Sequence, residues 1–293
     1  MNEKIDIVKN KKGFIAALDQ SSGSSEKVLY KYGVKKDRYK KEEEKQNIMH
    51  EMRKRVLTNR YFSNDKIIGV ILFEEEIERK IEGKCTPDYL WNQKRIPSFV
   101  KIDEGLSERK NGTQLMNPIT NLEKKLNKAK KHGIIGTKMR SVIYENNEEG
   151  IKKIVKQQFD LAKQIYSKGL IPIIEPEVNI NAKEKEKCEE TLKKLLDRQI
   201  KKLGNTKIIL KLTLPDKDNL YEEYTKNDSI IRVIALSGGY DRNYACEKLA
   251  NNKNVIASFS KALLEGLKEF QNEEEYTSMI KNNIKQIYEA SIS

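Results

Sequence analysis

The sequence predicts an α/β fold: a (β/α)8 TIM barrel formed as a single domain by residues 1–293, with an extra helical element after the first strand and a C-terminal helix. Three observations predict it. Eight short apolar or β-branched runs recur along the chain, charged segments with helical periodicity separate them, and the runs have no polar face. Strands alternating with helices give βαβ units and a parallel sheet. Eight such units close into a barrel. Strands buried on both faces read as continuous apolar runs.

The elements follow in order. GFIAALDQ (13–20) is the first strand. The stretch from Gln20 to Lys66 exceeds one crossover helix, so the extra helical element is expected there. KIIGVILFEEE (66–76) and PSFVKID (97–103) follow, then a helix in NLEKKLNKAKK (121–131). IIGTKMRS (134–141) is the fourth strand. In the helix at 150–169, Ile151, Ile154, Val155, Phe159, Ala162 and Ile165 recur at helical spacing. Gly169 stands where a C-terminal cap belongs. IPIIEPEVN (171–179), a helix within 181–204, KIILKLTLP (207–215), IIRVIALSGG (230–239) and VIASFS (255–260) complete the series. Ile284, Ile287 and Tyr288 read as packing of the C-terminal helix. There is no internal repeat and no Pro-rich linker.

Composition narrows the function. No apolar run approaches the ~20 residues of a membrane span, and MNEKIDIVKN lacks the apolar core of a signal peptide. A cytoplasmic protein with no membrane partner is expected. The net charge is +13, but the lysines are mixed with glutamates, as in KKEEEK (40–45), rather than gathered in a stripe. No nucleic-acid partner is expected. Cys85, Cys188 and Cys246 are far apart with no CxxC, which fits a reducing compartment. His50 and His132 are the only histidines, so a three-His metal site cannot be built, and no HExxH supports a site of two His and a carboxylate; no metal and no other cofactor is expected.

The informative residues are charges inside buried strands, where a charge is expensive unless paired or used. Side chains two apart on a strand share a face. Lys101 pairs in this way with Asp103, Lys138 with Arg140, and Glu175 with Glu177 across Pro176. Lys211 shares its face with Ile209 and Thr213, and Asp19 ends the first strand. A barrel builds its active site at the C-terminal ends of its strands. A buried lysine beside other cations loses its proton more easily and becomes a nucleophile for carbonyl groups. A neighbouring glutamate can serve as general acid or base.

Two segments suit phosphate. Ser237, Gly238 and Gly239 follow the seventh strand and SFSK (258–261) the eighth, where barrels bind phosphate through backbone N–H groups. SSGSS (21–25) offers hydroxyl donors after the first strand, or the N-cap of a helix. Two anion sites flanking a nucleophilic lysine point to a bisphosphorylated carbonyl substrate.

The segments GFIAALDQSSGS, VILFEE, FVKIDEGL, GTKMRS, PIIEPEVNINAK, LKLTLP, LSGGY and ASFSKAL, in this order, resemble class I fructose-bisphosphate aldolase in its short bacterial form. The resemblance runs from Lys12 to about Leu267. It implies a lyase of glycolysis and gluconeogenesis that cleaves fructose 1,6-bisphosphate reversibly to dihydroxyacetone phosphate and glyceraldehyde 3-phosphate through a Schiff base, without metal. By resemblance Lys211 is the Schiff-base lysine and Glu175 the acid/base carboxylate. Asp19, Lys138 and Glu177 complete the catalytic set, and Lys101 and Arg140 belong to the charged pocket. Ser237, Gly238 and Gly239 match the phosphate loop of the dihydroxyacetone phosphate half, and Ser21 and Ser24 match hydroxyls near the other phosphate.

Three departures stand out. The GTLLKPN context of animal enzymes is absent, which makes Lys217 a rival to Lys211. Lys261 stands where the family usually has an Arg, so the bidentate fork is lost. The chain ends IYEASIS, without the terminal Tyr of the animal tail. Still open are the carboxylate that takes the C4 hydroxyl proton (Asp19 or Glu175), the choice between fructose and tagatose bisphosphate, and the oligomeric state.

Overall fold

A computed structural model describes residues 2–293, the side chains of Asn2 and Ser22 excepted. Its centre is a parallel barrel of eight strands in chain order: β1 (Phe14–Leu18), β2 (Ile67–Leu72), β3 (Ser98–Lys101), β4 (Gly136–Glu145), β5 (Ile171–Lys183), β6 (Ile208–Thr213), β7 (Ile230–Leu236) and β8 (Ile256–Ala257). β8 returns to β1, where the Ala17 N–H donates to the Phe259 carbonyl at 3.4 Å. The pairing is in register through the charged positions: Lys101 lies beside Lys138, and Arg140 beside Glu175.

Period-two alternation divides the apolar residues into two cores. Ile15, Phe99, Ile171, Ile173, Ile209 and Ile234 fill the barrel. Phe14, Leu18, Val100, Met139, Ile174, Leu210, Leu212 and Val233 face the outer helices. The charged positions therefore continue the inward rows of isoleucines and phenylalanine.

Ten helices surround the barrel: α1 (Asn2–Asn10), α2 (Ser22–Tyr32), α3 (Glu42–Thr58), α4 (Thr86–Lys94), α5 (Leu122–Lys131), α6 (Glu148–Ser167), α7 (Lys185–Ile200), α8 (Arg242–Ala250), α9 (Lys261–Leu264) and α10 (Glu273–Ile292) among the described residues. The expected extra element between Gln20 and Lys66 is α3, which follows α2. The six apolar positions of α6 are all buried. Its N-terminus is set by Asn147, whose side chain accepts the Gly150 N–H at 2.9 Å. Gly169 follows with φ +84°. In α10, Ile284 and Ile287 are buried and Tyr288 packs beside them.

Some boundaries differ from the sequence reading. β4 and β5 run on past the apolar segments because they stay paired as far as Glu145 and Lys183. The eighth strand shrinks to two residues. SSGSS takes the helix-start alternative: Ser21 is the N-cap and the helix begins at Ser22. α1 has no counterpart in the reading, being too short for its periodicity to register. It lays Ile5, Ile7 and Val8 against the barrel's interior apolar cluster. Arg232 anchors its end by donating to the carbonyls of Val8 and Lys11 at 3.1 and 2.5 Å.

Candidate active site

A cavity of about 880 Å³ opens at the C-terminal ends of the strands. All thirteen candidate residues line it: Asp19, Ser21, Ser24, Lys101, Lys138, Arg140, Glu175, Glu177, Lys211, Ser237, Gly238, Gly239 and Lys261. The charged floor comes from five strands or their ends: Asp19 just after β1, Lys101 at the end of β3, Lys138 and Arg140 in β4, Glu175 and Glu177 in β5, and Lys211 in β6.

Lys138 is the hub. Its Nζ lies 2.9 Å from Asp19 Oδ2 and 2.6 Å from Glu175 Oε2. Lys211 Nζ lies 3.8 Å from the same Glu175 oxygen. Lys101 donates to Asp103 Oδ1 at 2.6 Å, and Arg140 Nε to Glu177 Oε2 at 2.5 Å. Buried charges persist only when paired, and these partners supply that pairing.

The ionisation of the cluster follows from its geometry. Burial pushes the Lys211 ammonium below the ordinary lysine value, and the positive charge of Lys138 pushes the same way. Glu175, Asp19 and Glu177 oppose this without cancelling it. Lys138 moves upward: burial disfavours its charge, but Asp19, Glu175 and Asp103 outweigh burial. Burial alone would raise the Asp19 carboxyl, yet Lys138, Lys211 and Lys101 hold it well below the carboxylate range. One lysine is thus a fixed cation and its neighbour gives up a proton readily, which is what a carbonyl nucleophile needs.

The two phosphate candidates differ in construction. After β7, Ser237 is buried, and Gly238 takes φ +60° in a turn closed by the Tyr240 N–H on the Ser237 carbonyl at 2.9 Å. A Cβ on Gly238 would stand 2.5 Å from Ile180 Cγ2, so both conformation and space require glycine. Lys261 donates to the Gly239 carbonyl and ties α9 to this loop. On the opposite side Ser24 Oγ donates to the Ser21 carbonyl at 3.1 Å within the first turn of α2, where helix N–H groups favour anions.

Lys217 lies exposed beyond Pro215, outside the cavity lining, whereas Lys211 is buried within it. Gln20 and Ser260, which lie within or beside the segments read as phosphate candidates, also line the cavity, and sequence reasoning missed Lys27, Lys31 and Lys268 there. The i, i+4 spacing of Lys27 and Lys31 on one helix face was the available signal. Nothing local marks Lys268. Among the described residues no group of three or more His, Cys, Asp or Glu side chains could hold a metal ion. His50 is instead bonded to the Glu76 carboxylate.

A parallel eight-stranded barrel with a buried lysine between carboxylates and a second lysine at its strand ends defines a lysine-dependent barrel enzyme. Comparison with known proteins narrows the class. Residues 2–227 match the family model described as fructose-bisphosphate aldolase class-I. A "Fructose-bisphosphate aldolase class 1" of Clostridium acetobutylicum is 50% identical over 295 residues, covering all of both chains. A solved structure, a ternary co-crystal of fructose-bisphosphate aldolase from Plasmodium falciparum with TRAP and a small-molecule inhibitor, superposes with a TM-score of 0.78. It is 19% identical and the match covers 99% of this chain and 92% of that one, a likeness of fold. The chain belongs to the class I fructose-bisphosphate aldolase family, and so to the lyases.

Proposed function

We propose that the protein cleaves fructose 1,6-bisphosphate reversibly to dihydroxyacetone phosphate and glyceraldehyde 3-phosphate through an imine on Lys211, in the glycolysis and gluconeogenesis of the cytoplasm. The observation that carries this reading is the environment of Lys211: buried, its charge disfavoured by burial and by Lys138, and 3.8 Å from a carboxylate.

Neutral Lys211 attacks the C2 carbonyl, and the carbinolamine loses water as Glu175 delivers a proton to the departing hydroxyl. The protonated imine then withdraws the electron pair of the C3–C4 bond as the C4 hydroxyl gives its proton to Glu175, left ionised by the preceding step. Asp19 is held ionised by three lysines and is therefore a weak base. It serves as a fixed acceptor for that hydroxyl and as the anchor of Lys138. Glu175 touches both lysines and is the group that passes protons. Glu177, through its pair with Arg140, orients that guanidinium, and Lys101 and Arg140 face the sugar chain. Ser237, Gly238, Gly239 and Lys261 take one phosphate, and Ser21 and Ser24 the other.

The test is borohydride reduction in the presence of dihydroxyacetone phosphate, read by intact mass and peptide mapping. One adduct on Lys211 is expected. An adduct on Lys217, or none on folded protein, refutes the assignment.

A further inference from the structure

A second buried charge network joins α3 to the turn after β2 and to the chain just past β1. Arg53 of α3 and Glu76, in the short 3-10 turn after β2, are each 1% exposed. Arg53 Nη1 donates to Glu76 Oε2 at 3.1 Å, and the other carboxylate oxygen meets His50 Nδ1. His50 is fixed at its far side by the Lys80 carbonyl, 3.2 Å from Nε2. The remaining arm of the guanidinium, Nη2, donates to the Gln20 carbonyl at 2.7 Å.

That last bond is the informative one. β1 ends at Leu18, so the Gln20 carbonyl lies beyond the strand's span, and a buried carbonyl needs a donor. Gln20 directly follows Asp19, whose carboxylate holds Lys138. The Gln20 side chain carries the connection onward, with Nε2 donating to Ser260 Oγ at 2.7 Å, one residue before Lys261. An apolar side chain at position 53 could fill space without the cost of burying a guanidinium. What it could not do is grip this carbonyl.

We infer that Arg53 is a positioning residue for the aldol reaction: oriented by Glu76 and His50, it clamps the Gln20 carbonyl and so fixes the Asp19 carboxylate against Lys138 and the substrate's C4 hydroxyl. The inference rests on the imine reading of the site. Arg53 touches no reacting atom. Its effect falls on bond cleavage, where Asp19 acts, and leaves imine formation at Lys211 intact. A misplacement of about 1 Å at a reacting group can cost about 100-fold in rate.

The test begins with wild-type protein, where absence of the Lys211 adduct overturns the imine reading and this inference with it. Given that adduct, Arg53→Lys and Glu76→Gln are examined. Both are expected to trap dihydroxyacetone phosphate to the wild-type extent. KM should stay within about 3-fold while kcat for cleavage falls about 10- to 100-fold. In an Asp19→Asn background the loss caused by Arg53→Lys should shrink below about 2-fold, because the residue it acts through is gone. An unchanged kcat per folded molecule in both single variants overturns the inference. So does a loss that multiplies undiminished onto Asp19→Asn. Glu76→Gln keeps the side-chain shape and decides the matter alone if Arg53→Lys does not fold.

Discussion

Lys138 and Lys211 approach one and the same oxygen of Glu175, at 2.6 and 3.8 Å. The two lysines have opposite fates there. Lys138 also holds Asp19 and keeps its proton. Lys211 has the longer contact and burial working against its charge, so its proton is the one released. A shared carboxylate thereby separates a structural cation from a nucleophile, and the separation needs both strands, β4 and β6, in their observed register.

The asymmetry predicts opposite effects on stability. Lys138→Met strands the buried carboxylates of Asp19 and Glu175 and should cost about 3–5 kcal/mol. Lys211→Met removes an ammonium whose charge burial disfavours, and Tm should stay level or rise by about 2–4 °C. Urea and thermal melts at neutral pH check both. A Lys211→Met variant much less stable than wild type would contradict the account.

The same variant decides the nucleophile. Lys211→Met should lose borohydride trapping and cleavage together, while Lys217→Met, altered on an exposed loop, should keep both. Mass spectrometry of reduced samples reads the outcome, and trapping that survives Lys211→Met refutes it.

Most of this site was legible in the sequence because burial makes a charge conspicuous. Lys101, Lys138, Glu175 and Lys211 each interrupt an apolar strand, and period two puts Lys101 with Asp103, Lys138 with Arg140 and Glu175 with Glu177 on shared faces. The network of Arg53, Glu76 and His50 was not legible. Arg53 sits in a helix whose exposed and buried faces are both charged, and its partners are Glu76 in a distant 3-10 turn and the Gln20 carbonyl past the end of β1. α1 escaped for a different reason: two turns of helix carry too few apolar positions to distinguish a period. β8 is shorter than the sequence suggests because regular pairing with β7 covers only Ile256 and Ala257, and beyond them single bonds, from the Ser258 N–H to Ala235 and from the Ala17 N–H to Phe259, carry the connection.

Gly238→Ala should separate binding from chemistry. The substitution forces a side chain into φ +60° and against Ile180, a strain of about 1–3 kcal/mol. Relieving it displaces the loop of Ser237 and Gly239. Steady-state kinetics should show KM for the bisphosphate rising about 10-fold or more with a smaller change in kcat, as expected when binding common to ground and transition states is lost. An unchanged KM would remove this loop from phosphate recognition.

Acid stability tests the charge assignment of the cluster's other end. Asp19 is held below its ordinary value in the folded state, so folding favours its ionised form. Its contribution is fully present above about pH 4, where an unfolded aspartate is ionised, and is lost as the pH falls from there through its depressed folded value. Lys138 is shifted upward, so its contribution is fully present below the ordinary lysine value and is lost only as the pH rises through its folded value, at strongly alkaline pH. The pair therefore supports the fold across the whole neutral range and weakens first on the acid side. Asp19→Asn should lower the unfolding free energy at pH 7, and the gap from wild type should narrow as the pH is taken from 5 to about 2. Urea titrations across that range measure the gap directly. A difference that stays constant with pH would mean that Asp19 is not the ionised partner of Lys138.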